Sequence, residues 1–369
     1  MEALPSVPTI IWTFLLLLSI LVFVHEWGHF IVARLFGVKV ETFSIGFGRE
    51  LFGWTDKKGT RWKICWLPLG GYVKFYGDAS AISNPAKMLS KIPEIERDRC
   101  FHYKPVWQRF LIVLAGPAIN LVFAVFLFTG LFAAVGEYVA EPVISEITPD
   151  SAADAAGFQV GDRFLEVNGN TIETFNNIRP IVAMRGGEET LFVIERDGRI
   201  IELVATPEKV VEKDPLGNDI SIGRLGVSST SMIKREYNIF EAFAAGTKRT
   251  YTTFGLMVET IGRLITGSVS IKELGGPIKI AQFTGYSASL GLWSFISFMA
   301  LISVNLGLVN LLPIPLLDGG HLLFYSIEAV KGSPISVKAQ EMAAMIGLAF
   351  VLGLLFVLTW NDLRLPGLS

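Results

Sequence analysis

Cysteine is nearly absent from this 369-residue chain, with only Cys65 and Cys100 present. Two thiols without paired C-x-x-C spacing build neither a disulfide framework nor a cysteine-based zinc site. Charge is sparse as well: 18 % of residues are charged and the formal net charge is -2. A chain with no overall basic character has no concentrated face for phosphate, which excludes nucleic acid as the main partner. Histidine is rarer still, at four residues. The N-terminus lacks a basic region and an A-x-A-like cleavage site, so its apolar run reads as a retained membrane helix rather than a signal peptide. Internal repeats and low-complexity tracts are also missing.

What is abundant is apolar surface, at 51 % of residues, with a high aromatic share rich in Phe. That is the profile of a membrane protein. Four stretches are long enough to cross a bilayer, which takes about 20 helical residues at roughly 1.5 Å each. They run approximately from Pro8 to Phe36, Phe110 to Val135, Leu292 to Leu312 and Met342 to Trp360. The intervening segment 34–109 carries 14 Lys and Arg, against 15 in the roughly twofold longer segment 136–293. By the positive-inside rule the first loop is expected to be cytoplasmic, with both termini and the long central segment outside the cytoplasm.

Within the first loop, 37–109, the run from Phe43 to Phe75 alternates apolar and polar residues around Trp62, Ile64 and Trp66, with turn residues at Asp56 to Gly59. A membrane-associated hairpin is expected there, either as a small packed sheet or as an edge that pairs with a peptide through Ile64 and Trp66. The central segment changes character near Glu141, and PVISEITPDSAADAAGFQVGDRFLEVN at 142–168, followed by Gly169, resembles the core of a PDZ domain spanning 140–230. The resemblance makes Ile222 to Val227 the carboxylate-binding loop and its strand. Gly223, Leu225 and Gly226 are its candidate peptide contacts, and an ordinary closing strand is the alternative. From Tyr237 to Gly267, within a segment 231–291, apolar residues recur at helical spacing but are interrupted by Lys248, Arg249, Glu259 and Arg263, which favours an amphipathic membrane-associated helix over a span.

The first span holds the chemistry. His25-Glu26-Trp27-Gly28-His29 is an H-E-x-x-H pattern. On a helix the two histidines share a face and can converge on one Zn2+, while Glu26 can take a proton from water polarised by the ion. In a soluble protein this pattern is often only a solvated helix face. Here an ionisable group deep in the bilayer costs roughly 2.5–3.5 kcal/mol on insertion scales, so three together need a compensating partner such as a metal.

A catalytic zinc takes a third protein ligand and leaves a position for water. Asp318 is the natural candidate, in the run N310-L-L-P-I-P-L-L-D318-G-G, where Pro313 and Pro315 break the helix and the glycines are expected to allow a tight turn. With the first helix running inward, His25 lies about 17 residues, or roughly 25 Å, beyond Pro8, towards the same leaflet as Asp318 at the end of the third span.

The paired motifs, with AGPAIN at 115–120 and GGPIKIA at 275–281, resemble the site-2 protease family of intramembrane metalloproteases, closest to the bacterial regulators of sigma-E. The resemblance implies a polytopic α-helical membrane protein with four transmembrane helices, a cytoplasmic-side hairpin and one inserted PDZ domain, in the inner membrane. It also implies zinc on His25, His29 and Asp318, Glu26 as base, and Asn310 at the substrate backbone or oxyanion, although Asn310 can equally be structural. His321 is a weaker candidate for an outer-shell role. The implied substrates are single-pass membrane proteins such as a trimmed anti-sigma factor, or leftover signal peptides. A catalytically silent PDZ scaffold and a zinc transporter are the rival readings.

Overall fold

The computed structural model describes residues 5–77, 92–213, 219–230, 232–267 and 274–363. Parts of the expected first loop and of the segment 231–291 lie outside these described residues. The helices are α1 (Val7–Leu35), α2 (Val106–Val135), α3 (Ala152–Ala155), α4 (Ile178–Ala183), α5 (Ile239–Ile265), α6 (Pro277–Ser289), α7 (Leu292–Leu311), α8 (Asp318–Lys331) and α9 (Val337–Leu363). Four of them, α1, α2, α7 and α9, are long and apolar enough to cross a membrane. They coincide with the four expected stretches, with α2 and α9 beginning earlier because a few polar residues extend a helix beyond its apolar run. The chain divides into two compact units, 1–129 with 243–258 and 276–359, and 130–242 with 259–275 and 360–369.

In the first unit, α1 is followed by β1 (Val40–Thr55) and β2 (Arg61–Phe75), the expected hairpin. Its register is richer than a simple alternation. Glu50–Thr55 pairs with Arg61–Cys65, and Val40–Ile45 pairs with Gly71–Phe75. Thr42–Ile45 is also in register with Arg61–Ile64. The bend that makes this possible falls where Gly46 and Gly48 adopt φ of 86° and 88°, backbone that other residues rarely take. One face of the sheet buries Phe43 with Phe30, Val40 and Phe75, and Trp27 and Trp62 pack against that cluster. Phe43 and Trp62 stack with ring centroids 4.5 Å apart.

The hairpin turn is tied to the end of α1 by Asp56. Its carboxylate accepts hydrogen bonds from Arg34 at 2.5 Å, Trp62 Nε1 at 3.1 Å, and the backbone N–H groups of Lys58 at 2.9 Å and Thr60 at 3.0 Å. Partial burial raises the carboxyl, but these donors outweigh it and hold the group down at about 2. A carboxyl depressed on folding stabilises above its ordinary value of 3.8 and loses that contribution as pH falls through about 2. Asp56→Asn is therefore expected to destabilise the protein fully above that ordinary value, and the gap from wild type should close towards pH 2. Tryptophan fluorescence unfolding across pH 6 to 2 checks this; a gap independent of pH would contradict it.

The stretch 313–341, expected as a motif followed by a loop, instead contains α8. Its Leu322 and Tyr325, at helical spacing, join the cluster around Phe43. Glu328 of the same helix receives a 2.7 Å bond from Arg109 at the start of α2. That guanidinium also lies 4.9 Å from the Tyr325 ring centroid. Both charged side chains are mostly buried, so removing either leaves an uncompensated charge.

The second unit is built of short strands: β3 (Glu137–Ala140), β4 (Glu146–Ile147), β5 (Arg163–Val167), β6 (Asn170–Thr171), β7 (Thr190–Arg196), β8 (Arg199–Ala205), β9 (Glu208–Lys213), β10 (Asp219–Arg224), β11 (Val227–Ser228) and β12 (Met232–Arg235). One sheet has the order β6-β5-β7-β8, while β9–β10, β4–β11 and β3–β12 form antiparallel pairs. Phe158, Phe164 and Phe192 fill its core as edge-to-face and tilted rings. The Asp of the G-D-R triplet, Asp162, is buried and accepts two 2.7 Å bonds from Arg196. The helical spacing from Tyr237 to Gly267 is realised as α5, started by a capping box between Asn238 and Glu241.

Candidate metal centre

On α1, His25 and His29 stand one turn apart with their Nε2 atoms 3.3 Å from each other. The first turn of α8 brings Asp318 to them, its Oδ2 lying 3.1 Å from His25 Nε2 and 3.4 Å from His29 Nε2. Zinc bonds of about 2.0–2.2 Å in tetrahedral geometry separate neighbouring ligand atoms by about 3.3–3.6 Å. The three atoms thus form one face of a tetrahedron of the right size. Asp318 Oδ2 is buried and accepts no conventional hydrogen bond, leaving its lone pairs for a cation. Among the described residues this is the only cluster of His, Cys, Asp and Glu that can hold a metal ion.

The protein around these atoms is shaped to that purpose. A Cβ at Gly116 of α2 would overlap the His29 imidazole and come within 2.9 Å of His25 Cε1. At Gly28, between the two histidines, a Cβ would overlap the Ala115 carbonyl. Small residues at both positions let α1 and α2 cross at close range. His29 Nδ1 donates to the Ile112 carbonyl at 2.9 Å, which leaves Nε2 as its free lone pair, the usual arrangement of a metal-ligating imidazole. Glu26 is half-buried on the same helix, and the Val73 backbone N–H donates to its carboxylate.

Gly319 and Gly320 do not make the tight turn expected of them. Both are helical in α8, and their hydrogens leave room for the chain arriving from α7. A Cβ at Gly320 would lie 2.6 Å from the Ile314 carbonyl oxygen and 2.7 Å from Pro315 Cα. The reversal is made by Leu316, whose φ is 93°, a conformation that costs a non-glycine residue about 1–3 kcal/mol. The two prolines and the pressed backbone hold it there, and so aim Asp318.

The other expected residues fall at varying distances from this centre. Asn310 is half-buried in the last turn of α7, and His321 is exposed on α8. Ile64 is paired on both sides, with Ile45 and with Phe52, so its backbone is inside the sheet and not on an edge. Trp66 is largely exposed. The strand segment beside the centre is instead Gly71–Phe75, where a Cβ on Gly71 would lie 2.8 Å from Val22 Cγ1 and 3.4 Å from Glu26 Cγ. In the second unit, Gly223, Leu225 and Gly226 line a groove of about 370 Å³ together with Ile178, Arg179 and Val182. Gly226 has φ of 86°, and a Cβ there would overlap Ser151.

Sequence reasoning gave no role to Gly116 or Asn120, although both belong to the AGPAIN run. A glycine and an asparagine inside an otherwise apolar span were the available signal.

Comparison with known proteins agrees with this geometry. The profile of Peptidase family M50 matches residues 13–354. A candidate zinc metalloprotease of Brucella suis is 44 % identical over 355 residues, covering 95 % of this chain and 94 % of the relative. One of Rhizobium meliloti is 43 % identical over 357 residues, covering 95 % and 96 %. Metalloprotease MmpA of Caulobacter vibrioides is 36 % identical over 374 residues, covering 95 % and 94 %. With the match running from the first span to the last, the chain belongs to peptidase family M50, the zinc metalloproteases of site-2 protease type.

Proposed function

We propose that this metalloprotease cleaves single-pass membrane proteins within, or at the cytoplasmic edge of, their membrane helix, with His25, His29 and Asp318 holding the zinc. The observation that carries the reading is the convergence of three ligand atoms beside Glu26 on a helix apolar enough to span a membrane. When bound, the zinc supplies a Lewis acid for the scissile carbonyl and for water. Glu26, held by the Val73 N–H, removes a proton from the attacking water and returns it to the leaving amine.

A helix hides its carbonyls in internal hydrogen bonds, so the substrate must unwind before attack. The edge Gly71–Phe75 is suited to holding the unwound segment extended, since it is paired on one side only, with Val40–Ile45, and lies beside Glu26. The peptide-pairing role expected of Ile64 and Trp66 moves to this segment. The second unit is read as a single PDZ domain outside the cytoplasm, its groove between α4 and the segment from Ile222 to Ser228 acting as a size filter or as a receptor for trimmed C-termini. Asn310 is assigned to the substrate backbone near the metal, and the chain to the inner membrane. The substrates are single-pass fragments such as a trimmed anti-sigma factor or remnant signal peptides.

Comparative proteomics of membrane fractions from cells carrying wild type or Glu26→Gln tests the reading. Single-pass fragments should accumulate in the variant. If none does, the protease has no such substrate, and a silent PDZ scaffold becomes the better account.

A further inference from the structure

The structure assigns Asn120 as a positioning residue for the metal: its amide oxygen accepts the Nδ1 proton of His25 and so keeps the Nε2 lone pair of that ligand free. This rests on the reading of His25, His29 and Asp318 as zinc ligands.

Asn120 sits on α2, fully buried, with its amide nitrogen 3.1 Å from His25 Nδ1. In that orientation Nδ1 is an acceptor, and a neutral ring must carry its proton on Nε2. Nε2, however, is the atom that faces Asp318 Oδ2 at 3.1 Å and His29 Nε2 at 3.3 Å. A ring that gives its Nε2 lone pair to a cation carries its proton on Nδ1 and needs an acceptor there. The amide of asparagine presents either nitrogen or oxygen after a half-turn of its terminal torsion. Asn120 Oδ1 is buried and accepts nothing where it stands, so the half-turn sacrifices only the contact it replaces.

One further contact fixes the residue in place. Ser303 of α7 donates to the Asn120 backbone carbonyl at 2.8 Å, joining α2 to α7 at this level. The second histidine already has the matching partner, since His29 Nδ1 donates to the Ile112 carbonyl on the same helix. One helix, α2, thereby supplies the outer acceptor for both imidazoles, from its main chain for His29 and from a side chain for His25.

The test measures zinc affinity of the full-length protein in detergent by chelator competition, with no substrate. Asn120→Leu, similar in volume but without an acceptor, and Asn120→Ala should each raise the zinc dissociation constant about 10- to 100-fold. Asn120→Asp, which keeps an acceptor at the same place, should bind within about threefold of wild type, a pattern set by outer-shell hydrogen bonding. A role in packing alone predicts the reverse order, with Leu tolerated and Asp not.

His25→Ala is the reference. If it loses zinc while the Leu and Ala variants at 120 bind like wild type, or if Asp weakens binding as much as Leu, the role of Asn120 is overturned and the ligand set stands. If His25→Ala binds zinc like wild type, the ligand assignment itself falls. Should both apolar variants fail to fold, Asn120→Asp decides alone: tenfold weaker zinc binding there overturns the proposal.

Discussion

Glu26→Gln should leave zinc bound with wild-type stoichiometry and lower the rate of peptide hydrolysis by about 10²- to 10⁴-fold, the usual contribution of a general base. Glutamine keeps the shape and can still accept the Val73 N–H through its carbonyl, so the hairpin edge is not disturbed. What it loses is the capacity to take a proton from water. Metal analysis of the purified variant, together with cleavage of a single-pass substrate in detergent, separates the two effects. Full activity in Glu26→Gln would remove Glu26 from the chemistry, and loss of zinc would make it a ligand or a structural support. His25→Ala and Asp318→Ala should instead lose the metal and the activity together.

Gly116→Ala should weaken zinc binding and lower cleavage by on the order of 10²-fold, a larger effect than its single methyl suggests. The added Cβ falls on the His29 imidazole and 2.9 Å from His25 Cε1, so the rings must move by about an ångström to restore ordinary contact. A displacement of that size at a catalytic site costs on the order of 10²-fold in rate, and the ligand triangle opens with it. Gly130→Ala, on the same helix but with nothing within 4 Å of the added methyl, is the control and should behave like wild type in zinc content and turnover. If Gly116→Ala retains zinc and rate, the two histidines are not held against α2 as described.

These outcomes bear on how the centre is held together. His25 and His29 come from α1, Asp318 from the start of α8, and the outer acceptor for His29 from α2. The close approach of α1 and α2 at Gly28 and Gly116 and the buried Arg109–Glu328 pair between α2 and α8 fix those helices relative to one another. Mutations at these contacts should therefore act through metal affinity rather than through substrate binding.

Much of this was legible from residue order alone. The H-E-x-x-H spacing places two imidazoles on one helix face wherever that helix forms, and long apolar runs specify membrane-compatible helices regardless of their neighbours. The turn at Asp56 and the capping box at Asn238 are local for the same reason: each depends on residues within a few positions of one another. By itself, then, the sequence determined the four membrane-compatible helices, the hairpin and the three candidate metal ligands.

Only the tertiary structure decided the rest, because each remaining feature joins residues far apart in the chain. That Ile64 is interior while Gly71–Phe75 borders Glu26 follows from a register in which Thr42–Ile45 takes a partner on each side, and alternation in sequence does not reveal which strand is last. That Gly319 and Gly320 make room, while Leu316 turns the chain, depends on where Leu311 to Pro315 press against α8. Asn120 facing His25 is a contact across 95 positions, and it arises only once two helices have packed.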